Sequence, residues 1–275
     1  MSEPDIIHHL GGLLELKILQ TIQDGEGKRS NVYLVECRRR EVKHEQSAPA
    51  LADQTVTCVL KTFPPNEFHN RLFQREVAAY YTELQRHLTT AVDPEGAWAV
   101  LSSYDTPPSA WPFCFGRLGL PDTSAPLQSG GDWIRPCPQN RPPTAGAKQR
   151  QSLLLEYMPD ATPLTLDKLN DRLAGKIRQI IHELHARNVV HGDFVVRALW
   201  PRIGFGNIFT RKRGDSGVEE VFVMDFNRSR IIGTQPRDQA MALEEEEQVA
   251  DLFGRALDNK MAIDKIPREL RKLLG

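Results

Sequence analysis

Asp225 directly follows the apolar run VFVM (221–224), which puts its carboxylate at a strand end, where it can bind a hard cation such as magnesium. Asp193 stands in His191-Gly192-Asp193, just after the clearest helical pattern in the chain, and Asn207 follows it by fourteen residues. Nearer the N-terminus, Lys61 lies in the strand-like run TVTCVLKTF (55–63), and Glu76 comes fifteen residues later. Helical spacing puts Phe73, Val77, Tyr80, Leu84 and Leu88 on one stripe with Glu76 at its edge. A carboxylate there needs a partner, since a buried charge stripped of one costs about 3–5 kcal/mol. Lys61 is the natural candidate; the alternative is a surface glutamate on an ordinary helix. Gly25 and Gly27 lie in DGEGK (24–28), between the first two predicted strands. Glycine has no Cβ to block a phosphate, so this turn can aim backbone N–H groups at one; an ordinary hairpin turn fits the residues equally well.

The order and placement of these groups resembles the protein-kinase-like superfamily over residues 13–260. The resemblance implies ATP and magnesium as cofactors and transfer of the γ-phosphoryl group to a hydroxyl acceptor, with protein Ser/Thr placed first. It implies Asp193 as catalytic base, Arg197 as a cation for the transferred group, and Lys61, paired with Glu76, on the ATP phosphates. Gly25 and Gly27 would form the phosphate-covering loop, Asn207 and Asp225 would bind magnesium, and the backbone of a hinge at Glu156-Tyr157-Met158-Pro159 would receive the adenine. Asn227 replaces the glycine of D-F-G, and Gly192 replaces the usual arginine before the aspartate. The H-G-D form and the short C-terminal part also resemble aminoglycoside and choline kinases and small atypical kinases, so a small-molecule acceptor is the runner-up. A non-catalytic pseudokinase binding module is the reading from another class.

That last reading is motivated by spacing. The kinase pattern places the asparagine five residues after the catalytic aspartate, where this chain has Ala198. Removing residues 198–206 (ALWPRIGFG) restores the pattern as HGDFVVR joined to NIF, so these nine residues read as an insertion. Their apolar side chains, broken by Pro201, Gly204 and Gly206, predict a turn-rich loop. It is either a genuine lid or the product of a splice or gene-model error. A chain lacking it is expected to fold and to be more active.

Strands are predicted over 13–22, 31–37, 55–63, 111–118, 152–157, 207–210 and 218–224, and helices over 66–87, 167–188, 244–257 and 267–274. Leu169, Leu173, Ile177, Ile180, Ile181 and Leu184 mark the second helix. In the third, Asp251 resembles the aspartate that braces the kinase catalytic loop, and the acidic run 244–247 suits a helix N-terminus. The fold class is α+β. The resemblance implies a two-lobed fold: an N-lobe over 1–157 with an antiparallel sheet, one helix and a flexible loop at 119–149, and a truncated, mainly helical C-lobe over 158–275.

Lys and Arg number 35 against 36 Asp and Glu, so no global field points to nucleic acid or an anionic membrane. Cys37, Cys58, Cys114 and Cys137 lack metal-ligand spacing and read as reduced thiols. The N-terminus lacks a signal-peptide pattern, and no apolar run approaches the ~18 residues that span a bilayer. The expected location is cytoplasmic, with the nucleus left open, and neither a nucleic-acid nor a membrane partner is expected.

Overall fold

A computed structural model of the chain describes residues 14–23, 30–39, 55–80, 110–121, 127, 134, 136, 149–194, 204–213 and 218–264. Gly25, Gly27, Arg197, Leu84, Leu88 and the expected helix at 267–274 lie outside the described residues. The described structure is α+β, with three α-helices and antiparallel pairing throughout its sheets. The chain divides into two compact units, Met1–Pro108 with Pro112–Tyr157, and Ser109–Trp111 with Met158–Gly275. None of the described helices is long and apolar enough to cross a membrane.

The first unit holds a five-stranded sheet in the order β1-β2-β3-β5-β4, made of β1 (Leu14–Gln23), β2 (Asn31–Arg39), β3 (Thr55–Phe63), β4 (Cys114–Pro121) and β5 (Gln149–Glu156). Strand alternation sends Leu16, Ile18, Tyr33, Val35, Cys58, Leu60, Leu118 and Leu154 into one core. Lys61 and Phe63 fall on the opposite parity of β3. There Phe63 meets Phe73 of helix α1 (Glu67–Ala78) edge-on, with ring centroids 5.5 Å apart. Asn66 caps α1, its Oδ1 accepting the His69 N–H at 3.0 Å.

Two sequence boundaries move. The strand expected at 111–118 starts at Cys114, and Trp111 belongs to the second unit, where the Arg187 guanidinium lies 5.5 Å from its ring centroid. Residues 119–121, placed in the expected loop, instead continue β4 and bury Leu120. Ile134, inside the expected loop, exchanges backbone hydrogen bonds of 2.6 and 2.9 Å with Leu16 of β1.

The second unit contains α2 (Asp171–Ala186) and α3 (Pro236–Asp264), a small sheet in the order β6-β8-β9, and a short ladder of β7 (Val189–Val190) with β10 (Arg230–Ile231). The small sheet comprises β6 (Thr162–Thr165), β8 (Gly204–Arg213) and β9 (Val218–Val223). All six apolar positions of the α2 pattern are buried. Asn170 caps that helix by accepting the Leu173 N–H at 3.0 Å.

Strand β8 corrects the reading of 198–206. Its last three residues are not a loop: Gly204, Phe205 and Gly206 begin β8, and Phe205 is buried, with its ring stacked 5.1 Å from Phe253 of α3. Removing all nine residues would take a core aromatic with them, so the expectation that this deletion preserves the fold does not hold for 204–206. The β6–β8 register steps from Pro163↔Phe209 to Leu164↔Phe205, so residues 206–208 bulge out of that pairing. Asn207 sits in the bulge.

Candidate functional site

In the first unit, β3 and α1 bring together the two residues that the fifteen-residue spacing paired. Lys61 Nζ lies 2.9 and 2.7 Å from the two carboxylate oxygens of Glu76. The side chains are 6% and 0% exposed, so the pair is held in a low-dielectric setting where neither charge is easily left alone. Glu156 ends β5, and both its N–H and its carboxylate are engaged by Phe113: the N–H donates to Phe113 O at 2.7 Å, and Phe113 N–H donates to Oε2 at 3.0 Å. A nucleotide base would have to use another atom of this residue. Met158 belongs to the second unit, is buried, and accepts the Ala161 N–H at 3.4 Å.

The second unit gathers His191, Asp193, Asn207 and Asp225 around one turn. His191 Nε2 donates to Met224 O at 2.9 Å, and its ring stacks on Phe194 at 4.2 Å and meets the edge of Phe226 at 5.0 Å. Burial pushes its pKa down, so the imidazole is neutral, with the hydrogen on Nε2 facing the carbonyl. Gly192 has a φ of +73°, and a Cβ there would lie 2.9 Å from Arg228 O, which is why this position takes glycine. Asn207 Nδ2 donates to the Asp193 carbonyl at 2.9 Å, and Met224 N–H donates to Asn207 O at 2.9 Å. The fourteen-residue gap therefore closes: the β8 bulge returns Asn207 to Asp193. Arg228 Nη1 donates to Asp193 Oδ1 at 3.0 Å.

Asp225 has φ and ψ of 64° each, a left-handed conformation that costs a non-glycine residue about 1–3 kcal/mol and concentrates at functional positions. Asn227 stands where the resemblance has the glycine of D-F-G, and asparagine tolerates left-handed backbone better than most residues. The structure instead puts Asn227, fully buried, inside the short 3-10 turn Phe226–Arg228. Among the described residues, no three His, Cys, Asp or Glu side chains gather where they could hold a metal alone. Asn207 and Asp225, joined through the Met224 N–H to Asn207 O bond, offer one amide oxygen and one carboxylate. That donor set fits magnesium, which takes few protein ligands and completes its shell with phosphates and water.

Sequence reasoning missed the brace under this turn. Asp251 was the expected one, but it is exposed and pairs with Arg255. Glu245 does the bracing, accepting His191 N–H at 3.1 Å on Oε2 and Gly192 N–H at 2.6 Å on Oε1. The helix begins at Pro236, so the acidic run 244–247 lies in its interior rather than at its N-terminus. A usable signal existed: Ala242, Glu245, Val249, Phe253 and Ala256 form one buried stripe at helical spacing, with the glutamate inside it.

His185 of α2 locks Glu245 in place. Its Nε2 lies 2.8 Å from Glu245 Oε2 and its Nδ1 3.1 Å from Glu246 Oε1. Carboxylates only accept, so both ring nitrogens carry hydrogen and the imidazole is cationic. Burial opposes that charge, but hydrogen bonds to Glu245 and then Glu246 outweigh it and raise the pKa above the ordinary 6.5. A raised histidine pKa stabilises the fold fully below the unfolded value and progressively less as pH rises through the folded one. In urea titrations across pH 5–9, the stability advantage of the wild type over His185→Gln should be largest below about pH 6.5 and shrink as pH rises. An advantage that does not vary with pH would remove the imidazolium assignment.

The first unit thus holds a buried lysine–carboxylate pair, and the second holds Asp193, Asn207 and Asp225 around a braced turn. Comparison with protein-family models and with curated proteins finds no match for this chain.

Proposed function

We propose that the chain is a magnesium- and ATP-dependent phosphotransferase of protein-kinase type, built on a two-lobed kinase-like fold. The observation that carries this reading is the return of Asn207 to Asp193, with Asp225 one residue beyond the Met224 amide that bonds Asn207 O. Three oxygen-bearing side chains in that order suit a base beside a metal–phosphate site. The acceptor is a hydroxyl, with protein Ser/Thr the first choice and a small molecule the second.

Asp193 takes the acceptor proton, and Asn207 fixes the turn that aims it through the Asp193 carbonyl. Asn207 and Asp225 would hold magnesium together with the nucleotide, and the bound ion would supply positive charge against the phosphate oxygens. Lys61, fixed by Glu76 within the first unit, is the ammonium that the kinase resemblance assigns to the phosphates of ATP. The turn that carries Asp193 owes its shape to Glu245.

Calorimetry with ATP, with and without magnesium, tests this reading. The wild-type chain is expected to bind in a magnesium-dependent way, Asp225→Ala to lose that dependence, and Lys212→Ala, an exposed change on β8, to keep it. Equal behaviour of the two variants would remove the metal assignment. Binding by the wild type with no transfer to any hydroxyl would leave a nucleotide-binding module in place of an enzyme.

A further inference from the structure

The turn that carries Asp193 has no room for a cation of its own at position 192. A side chain there would begin 2.9 Å from the Arg228 carbonyl oxygen on a left-handed backbone. The cation comes instead from the segment after Asp225. Arg228 reaches Asp193 Oδ1 at 3.0 Å from the 3-10 turn Phe226–Arg228. That turn is firmly set: Phe226 and Asn227 are buried, and the Ser229 N–H and hydroxyl both donate to Phe226 O, at 2.9 and 2.7 Å. The Arg228 side chain is 41% exposed and that of Asp193 23%. An ion pair this open adds little to stability, so folding alone is a weak reason for it. A guanidinium has five N–H donors in a rigid plane, and the bond to Asp193 Oδ1 comes from Nη1. The remaining donors match the oxygens of a phosphoryl group, which arginine binds in a fork.

We propose that Arg228 is a catalytic cation of the transfer step, holding Asp193 in aim while binding the phosphoryl oxygens as they pass to the acceptor. This rests on the phosphotransferase reading above. In the step, a bond forms between the acceptor oxygen and the γ-phosphorus. The bond from that phosphorus to the β–γ bridging oxygen breaks, ADP leaves with the bridging oxygen, and Asp193 takes the acceptor proton. A donor aimed at the oxygens during transfer lowers the barrier more than it strengthens ground-state binding. Arg228 would thus act at the place for which the sequence offered Arg197.

The test uses the full chain with magnesium ATP as the probe and water as the acceptor, reading phosphate release in the wild type, Arg228→Lys and Arg228→Met. Arg228→Met is expected to keep KM within about threefold and to lose about 100-fold in kcat, the scale for removing one transition-state donor. Arg228→Lys, which restores charge without the fork, should recover about tenfold of that loss. Wild-type kcat in Arg228→Met overturns the inference, as does a raised KM at unchanged kcat or a loss that lysine does not relieve. A wild-type chain that binds magnesium ATP but releases no phosphate overturns it while leaving nucleotide binding intact. A wild-type chain that shows no magnesium-dependent binding overturns the phosphotransferase reading and this inference with it.

Discussion

Glu76→Ala is expected to lower the free energy of unfolding by about 3–5 kcal/mol in a urea titration, because it leaves the Lys61 ammonium buried without its carboxylate. The large effect comes from the asymmetry of buried charges. The intact pair roughly balances desolvation against attraction, whereas half a pair keeps the desolvation and loses the attraction. The double variant Lys61→Met with Glu76→Leu should therefore recover most of what the single variant loses, although it removes more polar groups. A double variant as unstable as the single one would mean that the cost lies in the shape of the β3–α1 contact rather than in the charge. Nucleotide binding should follow a different order. If Lys61 serves the phosphates, both variants lose affinity, and restoring stability does not restore it.

Glu245→Ala should be the most damaging change in the second unit. It strands the amides of His191 and Gly192 and removes one of the two carboxylates around His185. At about 1–3 kcal/mol for each stranded donor, the two amides together predict a loss of about 2–6 kcal/mol. Hydrogen exchange reads this locally: the His191 and Gly192 amides should lose protection in Glu245→Ala and keep part of it in Glu245→Gln, whose single side-chain oxygen can still accept. The His185 pKa, followed by NMR, should fall in Glu245→Ala because Glu245 is the larger of its two hydrogen-bonding supports. Retained protection at both amides would mean that the turn holds its shape from within and that Glu245 only fills space.

Much of this was legible in the sequence. Lys61 and Glu76 were paired because helical spacing set Glu76 at the edge of an apolar stripe, where a carboxylate needs a partner, and a strand lysine lies fifteen residues upstream. The six apolar positions of α2 were equally plain. What stayed hidden depended on contacts distant in sequence or on very short elements. Strands β6, β7 and β10 have four, two and two residues, too few to show alternation. Phe205, flanked by glycines, reads as loop until Leu164 pairs with it from forty-one residues upstream. Glu245 was obscured by its acidic neighbours, since a run of four glutamates looks solvated unless the buried stripe through it is traced first. The left-handed residue is Asp225, between the strand end and the tight turn after it, a position that no residue type in the sequence marks.

Phe194 and Phe205 carry a consequence for how Asp193 and Asn207 are held. Each is almost wholly buried, the first stacked on His191 and the second on Phe253. Asp193 adjoins the first and Asn207 follows two residues after the second. The two aromatic rings act as moorings, so each polar group is held by packing beside it and does not depend on the other's strand or turn for its place.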